Sequence, residues 1–240
     1  MLCLEYTTGF CEALMSDPEL PPASRGFLNG LGQVPVVSAW LLLSLLLLPV
    51  SLQATGSVPQ LVPELLYALF IADSSALSGA LSGEAALRYT LEQGQWWRLV
   101  SPVFLHFSMV HIAFNAVLFW ILGQGLERRL GHLAVLAALV FWALGSNVAQ
   151  LLYGGTVFFG GLSGVVTAMF GARLVLGYFR PADPRLYLPR PLVISLFVSL
   201  IIFSTGISAL FGVNVANTAH WAGLVLGAVT GAGLHLVLHD

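Results

Sequence analysis

The 240-residue chain is 58% hydrophobic and 8% charged, with a mean hydropathy of +0.89. Soluble domains carry about 25% charged residues, so this chain cannot cover a globular surface with charge, and a lipid bilayer is the solvent its composition suits. A net charge of −2 gives no electrostatic case for nucleic acid, and all nine basic residues are Arg.

The first 33 residues hold Glu5, Glu12, Asp17, Glu19 and a single Arg25. They are too acidic for a mitochondrial transit peptide and lack the basic start of a signal peptide. They read as a short N-terminal segment (1–33), preceding one unit over 34–240. Met1 and Met15 are both candidate starts. Cys3 and Cys11 also lie here, and neither a Cys-x-x-Cys spacing nor a disulfide framework is expected. Crossing a hydrocarbon core of about 30 Å takes roughly 20 apolar residues as helix. Spans are predicted near Val34–Leu52, Val103–Leu122, Leu133–Tyr153, Leu162–Phe179, Pro191–Ala209 and Ala219–Val237. The fold class is therefore an all-α membrane protein with six transmembrane helices. A long first loop runs from about Gln53 to Pro102. Within it, Leu61–Ile71 is apolar but short and interrupted at Pro63-Glu64, which places it at the membrane interface.

Arginine placement sets the orientation. Arg128 and Arg129 lie between spans two and three, Arg180, Arg185 and Arg190 between spans four and five, and Arg25 before span one. The loops after spans three and five have none. The positive-inside rule then predicts cytoplasmic N- and C-termini, with spans two, four and six entering from the outside. Arg88 and Arg98, in the long loop, count for less.

That orientation gathers polar residues at one depth. His111 and Asn115 fall early in span two, Ser163 opens span four, and His220 opens span six. Ionisable groups inside a membrane are costly, so function is the first hypothesis for them. His111 and Asn115 are four apart and share a helix face. Gly223, Gly227 and Gly231 follow His220 on its own face, and Gly164, Ala168 and Gly171 make a similar stripe below Ser163. Small residues let transmembrane helices approach closely, so spans four and six are expected to pack together and bring Ser163 to His220. Gly160 and Gly161 let the chain turn sharply into the serine's helix.

The chemistry this predicts is nucleophilic acyl transfer. A serine hydroxyl needs a base to take its proton, and His220 fits that role and the later return of the proton to the leaving amine. With no carboxylate in the outer half of any span, the expectation is a dyad. The backbone N–H of Ser163, the Asn115 amide and His111 are the candidate oxyanion donors.

Together these pieces resemble the rhomboid family of intramembrane serine proteases, especially its bacterial GlpG type. The matching residues are Trp97-Arg98, then His106, His111 and Asn115 in HFSMVHIAFN. Glu127 in GLERRLG follows, then GGLSG at 160–164, then Ala219-His220 with Gly223 and Gly227 in AHWAGLVLG. The resemblance covers about Gln95 to the end of the chain. It implies a six-helix rhomboid bundle with Ser163 as nucleophile and His220 as base, and an oxyanion hole of His111, Asn115 and the Ser163 and Leu162 amides. It implies an enzyme with no cofactor and no metal, in the bacterial inner membrane, whose partners are transmembrane protein substrates cleaved near the outer face. Ser146 and Gln150 resemble the family's water-conducting pair, with His106 beside them in support. Where GlpG-like enzymes stack a tyrosine on the catalytic histidine, this chain has Thr167, which is expected to hydrogen-bond that histidine instead.

Plainer readings compete for single residues. A serine in a transmembrane helix usually bonds its own backbone. Trp96, Trp97 and Trp120 read as interfacial aromatics. Arg98 reads as a structural donor to loop carbonyls, and Glu127 with Arg128 and Arg129 as a helix-end network. His235 and His239 lack a third ligand and are not read as a metal site. The soluble-hydrolase elbow G-x-S-x-G is not met, because Val165 follows Gly164. Two other classes stay open: an inactive relative that binds membrane clients, and a small transporter. The second predicts polar groups continuing inward, whereas the inner halves of spans two, four and six are almost wholly apolar apart from Arg173.

Overall fold

The computed structural model describes residues 27–72, 82–207 and 215–237. Cys3, Cys11, Arg25, Met1, Met15, His239 and the predicted end of span five at Ala209 lie outside them. The N-terminal unit, residues 1–33, contributes the short helix α1 (Phe27–Gln33). The second unit, from Val34 onward, carries every other element. In order these are α2 (Pro35–Leu46), α3 (Leu48–Leu52), α4 (Pro63–Leu69), α5 (Gly83–Glu92), α6 (Met109–Leu130), α7 (His132–Tyr153), α8 (Ser163–Phe179), α9 (Arg190–Ser204) and α10 (Asn217–Val237). Short 3₁₀ turns at Gln53–Thr55, Trp96–Leu99 and Ser101–Phe104 complete the pattern, and there is no strand among the described residues.

This is an all-helical membrane protein. Helices α6, α7 and α10 are long and apolar enough to cross a bilayer, and the bent pair α2–α3 makes a fourth candidate. The bend falls where Pro49 removes a backbone donor. Helices α8 and α9 are apolar but shorter, at 17 and 15 residues. At 1.5 Å per residue they reach roughly 25 Å or less, short of a hydrocarbon core of about 30 Å. The predicted second span begins six residues too early: Val103 sits in a 3₁₀ turn, and Ser108 caps the helix by accepting from the His111 N–H. That helix also runs on past Leu122, so Arg128 and Arg129 form its last turn rather than a loop.

Helix α8 is the axis of the bundle. Every residue from Gly164 to Arg173 is buried, and α8 packs against α6, α7 and, most extensively, α10. The α8–α10 contact is glycine-lined, as the spacing predicts. A Cβ added at Gly223 would run into the Gly164 carbonyl, one at Gly227 into the Ala168 carbonyl, and one at Gly231 into Ala172. The three glycines of α10 thus sit on successive turns of the α8 backbone, where no side chain fits. Trp142, Phe119, Met169, Phe170 and Leu139 fill the core around this contact.

Polar groups brace the ends. Both carboxylate oxygens of buried Glu127, on α6, accept N–H groups from the first turn of α2, Val36 at 2.9 Å and Val37 at 2.8 Å. These are amides that no intrahelical carbonyl can reach. The same carboxylate takes Nδ1 of His132 at 2.7 Å. Glu127 is therefore an interhelix cap, and its sequence neighbour Arg129 pairs instead with Asp183. Arg173, buried in α8, donates to the carbonyls of Ile121, Arg185 and Tyr187 at 2.7–2.8 Å. In the long first loop, Arg98 donates to the Tyr67 and Phe70 carbonyls, and Trp97 to that of Ala68. These bonds clamp the end of α4, the structural role expected of Arg98.

The α8–α10 seam makes a prediction. Gly227→Val forces two backbones apart and should cost about 3 kcal/mol or more, read as a lower melting temperature in detergent. Gly233, on the same helix with open space around its Cα, is the control: Gly233→Ala should leave the melt unchanged or raise it slightly. Equal effects at the two positions would refute the seam.

Candidate active site

The loop ahead of α8 is shaped by one backbone choice. Gly161 has φ +119°, a conformation side chains resist. Its Cα is also approached closely from α6: an added Cβ would lie 2.7 Å from Nε2 of His111 and 3.8 Å from Nδ2 of Asn115. Glycine at 161 thus satisfies a turn and a close approach together. The loop is pinned twice more, by the Gly161 N–H to the Pro102 carbonyl at 3.0 Å and by the Leu162 N–H to Nε2 of His106 at 3.3 Å.

Immediately after this loop, the half-buried Ser163 opens α8 and points its Oγ at Nε2 of His220, 2.7 Å away. His220 lies in the first turn of α10 and is buried. The seam described above sets this distance, because Gly223 rests on the Gly164 carbonyl one turn below the histidine. The start of α10 is held from α7, where Oε1 of Gln150 accepts the Ala219 N–H at 3.1 Å. Nδ1 of His220 has no partner among the described residues, so no carboxylate there completes a triad.

His111 and Asn115 come to the same place from α6. Asn115 is buried and donates one amide hydrogen to the His111 carbonyl at 3.0 Å, leaving its second for another acceptor. The N–H of Ser163 is in the first turn of α8, where helix geometry supplies no acceptor. Ser146 is fully buried against Gly164, and Gln150 is buried one turn along. The structure thus brings together Ser163, His220, His111, Asn115, Ser146 and Gln150 from four helices.

Two expectations need correction. Thr167 does not hydrogen-bond the histidine: its hydroxyl donates to the Gly164 carbonyl of its own helix at 2.9 Å, the local backbone bond that helical threonines commonly make. The Leu162 amide is not turned toward an oxyanion site, because His106 already accepts its hydrogen.

His106 is the residue that sequence reasoning undervalued. Its ring bridges two loops, with Nδ1 3.3 Å from the Phe104 carbonyl and Nε2 taking the Leu162 amide. That pattern requires a neutral ring protonated on Nδ1. Burial, and secondarily the neighbouring His111, push its pKa down to about 3. The rings of His106 and His111 lie 5.0 Å apart, centre to centre. A histidine two residues after Phe104 in a run of loop residues carries no periodic signal that would reveal this grip.

An apolar helical bundle that brings a serine and a histidine together at the start of two packed helices places the chain in the class of all-helical membrane proteins. The Rhomboid domain family model matches residues 93–236, and the chain belongs to the rhomboid family. The Rhomboid protease GlpG of Serratia proteamaculans (strain 568) is 44% identical over 133 residues, which is 55% of this chain and 46% of that protein. Those of Yersinia pestis (strain Pestoides F) and Yersinia pseudotuberculosis serotype O:3 (strain YPIII) are 41% identical over 133 residues, with the same coverage. The chain spans about half the length of the curated relatives it matches.

The His106 grip predicts an acid sensitivity. With a folded pKa near 3 and an ordinary value near 6.5, this group's contribution is complete above about pH 6.5 and is lost as pH falls from there toward 3, because the unfolded chain binds the proton first. His106→Gln should lower the melting temperature at pH 7.5 and flatten its decline between pH 6.5 and 4.5. An unchanged slope would assign the acid sensitivity elsewhere.

Proposed function

We propose that this protein is an intramembrane serine endopeptidase that cleaves transmembrane protein substrates near the outer face of the membrane. The observation that carries this reading is the 2.7 Å approach of Ser163 Oγ to His220 Nε2, on helices that the sequence separates by 57 residues. Membership of the rhomboid family supports it.

In this mechanism Nε2 of His220 takes the Ser163 proton as Oγ attacks the scissile carbonyl carbon. The carbonyl oxygen becomes an oxyanion, stabilised by the Ser163 N–H, the second Asn115 amide hydrogen and His111. The positive end of the α8 dipole favours the same charge. Collapse breaks the C–N bond, and protonated His220 gives its proton to the leaving amine. An acyl-enzyme ester on Ser163 remains. Water, deprotonated by His220, then attacks the ester and restores the serine. Ser146 and Gln150 are assigned to conducting that water. No step calls for a cofactor or metal.

The topology assigned to this enzyme has six spans: α2–α3, α6, α7, α8, α9 and α10. Residues 34–240 form the catalytic unit, with a long first loop over about 53–102, and 1–33 form a cytoplasmic segment. Both termini are assigned to the cytoplasm of the bacterial inner membrane. The short α8 fits this scheme, because its first residue need not reach the membrane surface if the serine works in a recess.

The test is labelling and cleavage in one preparation. The wild type should react with a fluorophosphonate probe at Ser163 and cut a single-span model substrate. Ser163→Ala and His220→Ala should each abolish both, with the melting temperature retained. Asn115→Ala should slow cleavage by up to roughly a hundredfold. Probe labelling that survives Ser163→Ala, or a wild type that neither labels nor cuts, would overturn the assignment.

A further inference from the structure

The opposite end of the bundle carries a second polar feature that the proposed chemistry does not use. Between the last turn of α6 and the end of α8, the turn at residues 180–186 borders an open cavity of about 590 Å³, lined by Arg129, Phe179, Arg180, Asp183 and Arg185. The volume is within the range of sites that hold small ligands. One carboxylate organises the guanidinium groups. Oδ1 of Asp183 accepts from Nε and the backbone N–H of Arg185, and Oδ2 accepts from Nη2 of Arg185. Arg129 Nε lies 2.9 Å from the same Oδ2. The hydrogen bond from Arg185 is the main cause that holds this carboxyl below its ordinary range, so the carboxylate stays ionised. Three guanidinium groups and one carboxylate leave a lining of charge +2.

Helix ends explain part of this. Arg129 is in the last turn of α6 and Arg180 at the end of α8, where cations offset the dipole. That does not account for a cavity between them, or for a carboxylate that fixes two forks side by side. Tyr178, largely exposed, flanks the site, a residue type found at the level of lipid headgroups. Arg128, whose carbonyl accepts from Arg185 at 3.4 Å, adds charge nearby.

We propose that this cavity binds the phosphodiester of an anionic phospholipid headgroup. The guanidinium hydrogens of Arg129 and Arg185 that Asp183 does not engage hold the phosphate oxygens, and Arg180 adds charge. Hydrogen bonds from guanidinium to phosphate oxygens are charge-assisted, and basic pockets between transmembrane helices are a setting for anionic headgroups.

Intact-complex mass spectrometry of the full chain in mild detergent, with equimolar phosphatidylglycerol and phosphatidylcholine, tests this. The wild type should retain phosphatidylglycerol preferentially. Arg129→Gln and Arg185→Gln should each lower that retention about fivefold and leave phosphatidylcholine unchanged. Melting temperatures in phosphatidylcholine micelles separate lost binding from lost folding. The proposal is overturned if the arginine variants retain phosphatidylglycerol as the wild type does. It is also overturned if inorganic phosphate raises the melting temperature as far as short-chain phosphatidylglycerol does, since the occupant would then be a free anion.

Discussion

The contact between α8 and α10 is the constraint on which the rest depends. Lipid offers no hydrophobic drive for two helices to meet, so their attraction has to come from close packing of backbone on backbone. Gly223, Gly227 and Gly231 permit that, each seated on a turn of α8 that leaves no room for a Cβ. Once the two axes are fixed, the first turns of both helices have little freedom left. Ser163 and His220 then lie within hydrogen-bond reach without any bond between their own backbones. The same seam helps to bury α8 from Gly164 to Arg173, and α6 and α7 complete the wall around it.

A second layer of polar contacts works on the loops rather than the helices. His106 and Pro102 fix the turn before Ser163, Gln150 fixes the start of α10, and Arg98 fixes the end of α4. Each of these uses a group on a neighbouring segment, a side chain in three cases and the Pro102 carbonyl in the other, to satisfy a backbone group that has no partner in its own segment. In an apolar surrounding such groups are expensive to leave unpaired. The candidate site is thus held by bonds that stabilisation of the fold already demands.

Much of this could be read in the chain. Hydropathy placed the apolar segments to within a few residues for α7, α8 and α10, because these begin and end at sharp changes in composition. The glycine stripes pointed to the helix pairing, since a period of four residues on one face has a direct steric meaning. What was hidden depended on long-range partners. Val103 and Phe104 are as apolar as a span but belong to a turn, because Pro102 starts a 3₁₀ segment and Ser108 caps the true helix. Thr167 and Leu162 were assigned by position alone, and their partners, a carbonyl on the same helix and a histidine 56 residues away, are set by geometry. Glu127 looked like a partner for the arginines beside it in sequence, whereas a helix turns adjacent residues about 100° apart.

The capping carboxylate of Glu127 has a consequence for biogenesis. It lies some 90 residues downstream of the amides it serves, so during synthesis α2 leaves the ribosome long before its cap exists. Until α6 arrives, the leading amides of α2 have no Glu127 carboxylate to bond and must find other acceptors. Docking of α6 supplies that cap, so the start of α2 is satisfied only once a helix some 90 residues further along the chain is in place.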